Sequence, residues 1–113
     1  MEKKVQLGWL FEFYGPLLTD HRREVMRLYC EEDYSLAEIA AEMGITRQGV
    51  HDAVSKSQAQ LEAHEQKLGL MARYQRLMRT VETCRATLQT IQPTDSTAAQ
   101  LKEALRLLDE MEP

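Results

Sequence analysis

The sequence predicts an all-α protein, a helix-turn-helix bundle followed by a C-terminal helical hairpin. Three observations lead there. Apolar residues recur at steps of three and four along nearly the whole chain. Capping residues and breakers fall between these stretches, at Thr19, Ser35, Gly44, Thr46 and Gly69. No segment alternates apolar and polar residues as a half-buried strand does.

Residues 2–14 are expected to form the first helix, with Leu7, Leu10, Phe11 and Tyr14 on one face and Trp9 and Phe13 widening it. Gly15-Pro16 ends it. Thr19 can cap a second helix to about Cys30, with Asp20 in its positive first turn and Val25, Leu28 and Tyr29 inward. Glu31-Glu32-Asp33 follows as an acidic loop.

Ser35 and Glu38 stand as a capping box before the apolar stripe Leu36, Ile39, Ala40 and Met43. Gly44 suits a left-handed turn. Thr46 can cap a fourth helix whose inner seam is Val50, Val54, Ser57, Leu61, His64 and Leu68. Ala40 is small where two helices would cross, and Ile45 and Val50 can close the turn. Small residue, turn glycine and flanking apolar residues in register over 35–54 define a helix-turn-helix, whose second helix meets a partner.

After Gly69, Leu70, Tyr74, Leu77, Val81, Cys84, Leu88 and Ile91 follow heptad steps. Pro93-Thr94-Asp95 interrupts them. Thr97 to Gln100 resembles a second capping box, and Ala98, Leu101, Leu105 and Leu108 continue the spacing. The expected division is therefore residues 1–69 as the helix-turn-helix domain and 70–113 as a helical hairpin serving dimerisation.

With 113 residues, 43% of them apolar, the chain reads as one soluble domain with a helical appendage. No apolar run approaches the roughly 18 residues of a spanning helix, and no secretory signal pattern is present. A cytoplasmic protein without a membrane partner is expected. Cys30 and Cys84 are far apart in apolar helical patterns, so reduced structural thiols are expected. The histidines form no metal set, no catalytic constellation or phosphate-binding glycine loop stands out, and neither cofactor nor enzymatic activity is expected.

The net charge of −4 is unevenly spread. Residues 1–70 hold 8 Lys and Arg against 12 Asp and Glu, while residues 71–113 hold 6 of each. The reading domain carries all the excess, opposite to the usual basic footprint of nucleic-acid binders. On the second helix of the motif, the exposed N-terminal face would be Arg47, Gln48, His51, Asp52 and Ser55. Arg and Gln match guanine and adenine edges. Lys56, Arg22 and Arg23 are candidates for phosphate, whereas Asp52 repels it. Arg73, Arg76 and Arg79 line one flank of the heptad helix, either as a solvated flank or as a basic strip for RNA or an acidic partner.

Leu10-Phe11-Glu12-Phe13-Tyr14, Leu17-Leu18-Thr19, Ser35 to Ala40 and Thr46 to Asp52 closely resemble the YlxM family, over about residues 5–80. These are small bacterial helix-turn-helix proteins linked to the signal recognition particle. The motif is in turn similar to region four of sigma factors. The resemblance implies an all-α, sigma region-four-like fold, homodimers and a regulatory part in the particle's pathway. Sigma-type recognition helices place Arg at the positions of Gly49 and His51 and Gln at Asp52. Here Arg47 alone of that set is kept, which turns the reading away from promoter recognition. The expected partner is DNA or signal recognition particle RNA, read by Arg47, Gln48 and His51 and held by Ser55, Lys56, Arg22 and Arg23. The alternative is an adaptor that docks on the particle's GTPase or its receptor without nucleic acid.

Overall fold

A computed structural model describes residues 2–112, and among these every regular element is helical. The helices are α1 (Lys3–Tyr14), α2 (Asp20–Cys30), α3 (Leu36–Met43), α4 (Arg47–Leu68), α5 (Leu70–Gln89) and α6 (Ala98–Met111), with one 3-10 turn at Gly15–Leu17 after α1. The chain divides into two compact units, residues 1–71 and 72–113.

In the first unit α1, α2 and α3 pack around α4. Leu7, Leu10, Phe11 and Tyr14 meet Val25, Met26 and Leu28, with Ile39 from α3 and Val50, Val54 and Leu61 from α4. Trp9, Phe13 and Tyr29 are partly buried against this core, and the Trp9 and Phe13 rings stack with centroids 6.4 Å apart. The expected seam of α4 holds from Val50 to Leu61, but Leu68, in its last turn, is 57% exposed. Gly15 ends α1 with helical dihedrals, so its role is steric: a Cβ there would stand 2.9 Å from the Phe11 ring.

The caps follow the sequence closely. Thr19 Oγ1 accepts from the Arg22 amide, and Ser35 and Glu38 form the reciprocal capping box. Burying a helix end without such partners would leave amides unsatisfied. Gly44 and Gly69 close α3 and α4 with φ of +65°, the left-handed conformation a side chain disfavours. At the end of α4, the Tyr14 hydroxyl donates to Glu65 over 2.5 Å and accepts from the Leu70 amide at 3.1 Å. Glu65 also accepts from the Met71 amide at 2.9 Å. One tyrosine and one carboxylate thus hold the opening turn of α5, and this network explains why the first unit extends past Gly69 to Met71.

The second unit is more open. Its heptad pattern is borne out at Tyr74, Val81 and Leu88, which turn inward, and fails at the positions between them. Of the seven expected seam positions only Val81 is fully buried, while Leu70, Leu77, Cys84 and Ile91 are exposed. The inward face of α5 instead follows Tyr74, Met78, Val81, Arg85 and Leu88, at the same three-four spacing but rotated. Spacing alone fixes periodicity, not which of two adjacent stripes turns inward. Arg85 sits on that face because three carboxylates neutralise it: Glu82 at 3.5 Å, Glu112 at 2.6 Å, and Asp109. Asp109 lies in the last turn of α6 and Glu112 just beyond it, rather than in the first turn that a tight antiparallel return would bring beside Arg85. The second capping box is also absent. Thr97 has helical dihedrals and its hydroxyl bonds back to Thr94, so it caps nothing.

Candidate nucleic-acid interface

The geometry of a recognition helix depends on the turn before it. Gly44 turns the chain with its amide bonded to the Ala40 carbonyl, and the Ile45 amide bonds to that carbonyl at 3.1 Å. Thr46 then starts α4, its hydroxyl accepting from the Gly49 amide at 2.9 Å. Gly49 lies against this cap: a Cβ there would come within 3.1 Å of Thr46 Oγ1. The glycine that weakens helix propensity leaves room for the hydroxyl that opens the helix.

Beyond the cap, Arg47, Gln48, His51, Asp52, Ser55 and Lys56 are all exposed. Leu36, Arg47, Gln48 and His51 line a shallow concavity between the starts of α3 and α4. Asp52 stands one turn along α4 from Gln48. It accepts from Gln48 Nε2 at 3.0 Å, and His51 Nδ1 lies 3.8 Å from the same oxygen. Arg47, Ser55 and Lys56 keep their polar groups unengaged among the described residues.

The expected phosphate contacts on α2 are otherwise occupied. Arg22 donates to Gln60 at 3.2 Å, and Arg23 donates to the carbonyls of Pro16 and Leu18 at 3.0 and 3.4 Å. Arg23 thus closes the 3-10 turn, and only its spare N–H groups face outward. No residue pattern announces these ties, since a guanidinium reaching a main-chain carbonyl leaves no spacing signal. Nor did the spacing point to Leu36 as the apolar wall of the concavity, although its place one residue after the Ser35 cap is a usable signal.

The seam of α4 contains two buried polar atoms without a partner among the described residues, Ser57 Oγ and His64 Nε2. His64 lies against the Tyr14 ring with centroids 5.9 Å apart. Burial, and then the bond to Glu65, hold the Tyr14 hydroxyl above its ordinary pKa. These groups are inside the bundle and outside the exposed face.

Fold and face together define a helix-turn-helix protein. Its relatives narrow this further. A family model described as "Putative helix-turn-helix protein, YlxM / p13 like" (UPF0122) matches residues 1–104. A UPF0122 protein of Lacticaseibacillus casei is 43% identical over 103 residues, covering 91% of each chain. One from Geobacillus kaustophilus is 37% identical over 112 residues and 99% of each. One from Symbiobacterium thermophilum reaches 45% over 82 residues, 73% of this chain and 77% of that one. The chain belongs to the UPF0122 family of YlxM-like helix-turn-helix proteins.

Proposed function

We propose that this protein is a regulatory nucleic-acid-binding protein of the signal recognition particle pathway, acting as a homodimer on DNA or on the particle's RNA. The observation that carries the reading is Arg47, exposed and unpaired beside Gln48 and His51 at the start of a correctly capped recognition helix. Arg47 offers a bidentate fork to a guanine edge, and Gln48 reaches an adenine edge once it leaves Asp52. Ser55 and Lys56 stand farther along α4 to meet the backbone, with the outward N–H groups of Arg22 and Arg23.

Pairing of two copies is supported by the apolar line Leu70, Leu77, Cys84 and Ile91, spaced by sevens and left uncovered. Two linked recognition helices gain effective concentration that one acidic unit lacks. Placement in the particle's pathway is supported by likeness to YlxM proteins alone.

A second reading, an adaptor for the particle's GTPase or its receptor, is favoured by Asp52, whose carboxylate engages Gln48 in the middle of the face. A salt titration separates the two. Nucleic-acid binding is expected to weaken as salt rises and to weaken further with Arg47→Ala. No binding to duplex DNA or the particle's RNA at low salt would leave the adaptor.

A further inference from the structure

From Gln66 to Val81 the chain carries Lys67, Arg73, Arg76 and Arg79 and no Asp or Glu, in a protein whose net charge is −4. The three arginines are exposed on α5. None has a carboxylate within ion-pair distance among the described residues, whereas Arg27, Arg85 and Arg106 are each paired. Glu82, one turn beyond Arg79, is turned to Arg85 instead.

At about 100° per residue the arginines span one third of the helix circumference, and at about 1.5 Å per residue they cover roughly 9 Å of its length. Thr80 and Thr83 fill the same flank, and a shallow concavity there is lined by Arg76, Arg79, Thr80, Thr83 and Cys84. Both threonine hydroxyls donate back to the carbonyls of Arg76 and Arg79, at 3.1 and 3.0 Å. The guanidiniums are therefore the outward donors of this flank.

We infer that Arg73, Arg76 and Arg79 form a second nucleic-acid contact outside the helix-turn-helix, binding the phosphodiester backbone. The inference rests on the nucleic-acid reading above. Three arginines rather than lysines suit phosphate oxygens, which accept the parallel N–H bonds of the fork. A protein partner is the poorer fit, because protein interfaces centre on aromatic or large aliphatic anchors, and the concavity here is walled only by two arginines, two threonines and a cysteine. Nucleic-acid interfaces are polar and strongly basic. The strip also supplies what the recognition face lacks, since Asp52 offsets Arg47 there and Arg22 and Arg23 are partly engaged.

The test uses the full chain with a short duplex DNA and a duplex RNA of one arbitrary sequence, titrated at several salt concentrations. With Arg73→Gln, Arg76→Gln and Arg79→Gln combined, affinity at low salt is expected to fall by at least about tenfold, and the slope of log affinity against log salt to become shallower by about 2–3. Arg76→Gln alone should flatten it by about 1, and the three Arg→Lys changes should preserve it. Circular dichroism melts should not change. An unchanged slope in the triple and single variants, with Arg47→Ala still weakening binding, overturns the strip and leaves the recognition helix. No wild-type binding to either duplex overturns both. Equal loss of binding to poly-glutamate overturns the assignment to phosphate.

Discussion

The two units bury their apolar residues to very different degrees. In residues 1–71 each of the first four helices contributes fully buried side chains, and Val25, Met26, Ile39, Val50 and Leu61 are shut off from solvent. Among the described residues of the second unit only Val81 is buried, and α6 buries nothing fully. Leu101, Ala104, Leu105 and Leu108 remain half-covered, and Leu107 and Met111 are exposed. A segment of about 40 residues rarely closes a core on its own without disulfides, metal or association. Both units leave apolar side chains exposed, Val5, Leu17, Leu68 and Leu70 in the first and Leu77, Ile91, Leu107 and Met111 in the second, but only the first surrounds an extended enclosed core. Ion pairs around Arg85 and Arg106 do not replace such a core, since exposed pairs contribute little.

The strongest way to break this contrast is a matched pair of truncations. Leu61→Ala should cost about 2–5 kcal/mol in urea unfolding, since the side chain is fully enclosed. Leu77→Ala, on a residue 46% exposed, should cost well under about 1 kcal/mol in dilute protein. Similar losses at the two sites would end the distinction between them. Next in size is Tyr14→Phe, which strips a donor from Glu65 and an acceptor from the Leu70 amide. A loss of about 1–3 kcal/mol is expected, together with faster hydrogen exchange at the Leu70 and Met71 amides. Unaltered exchange there would mean that the start of α5 holds itself.

Gly44→Ala comes third. Open space surrounds the position, so the cost is that of left-handed backbone alone, about 1–2 kcal/mol by thermal melting. This turn also marks how far the sequence could be read. Gly44, Thr46, Ser35 and Thr19 act through their own backbone and the next turn, and such local chemistry is visible in a single sequence. The positions of Arg47, Gln48 and His51 on the exposed face follow from the same local logic. Long-range partners are different. Nothing near Arg23 in sequence announces the Pro16 carbonyl, and nothing near Glu65 announces Tyr14, 51 residues away. The inward stripe of α5 keeps Tyr74, Val81 and Leu88 of the expected seam but takes Met78 and Arg85 in place of Leu77 and Cys84, for a related cause. Two neighbouring stripes satisfy the same heptad spacing, and the choice depends on Arg85 finding carboxylates at the far end of α6.

The smallest effect near neutral pH concerns the two cysteines, one in each unit. Cys30 is half-buried, and burial pushes its thiol up to about 11, Glu31 adding to the shift and Lys4 opposing it. Cys84 is exposed on α5. Only the thiolate attacks a disulfide reagent, so near pH 8 the half-buried Cys30, with its raised pKa, should react more slowly than the exposed Cys84. A raised thiol pKa favours the protonated folded form. Its contribution to stability is therefore complete below the ordinary thiol pKa and fades as pH climbs from about 9 towards 11, and Tyr14 acts in the same sense above about 10. Alkaline unfolding should accordingly accompany the late labelling of Cys30. The labelling of Cys84 adds a separate dimension, because it lies on the line with Leu70 and Leu77. If two copies pair along that line, raising protein concentration should slow Cys84 and leave Cys30 unchanged. A dimer by light scattering whose Cys84 reacts equally fast at all concentrations would pair through some other surface, and the uncovered line of α5 would then need a different occupant.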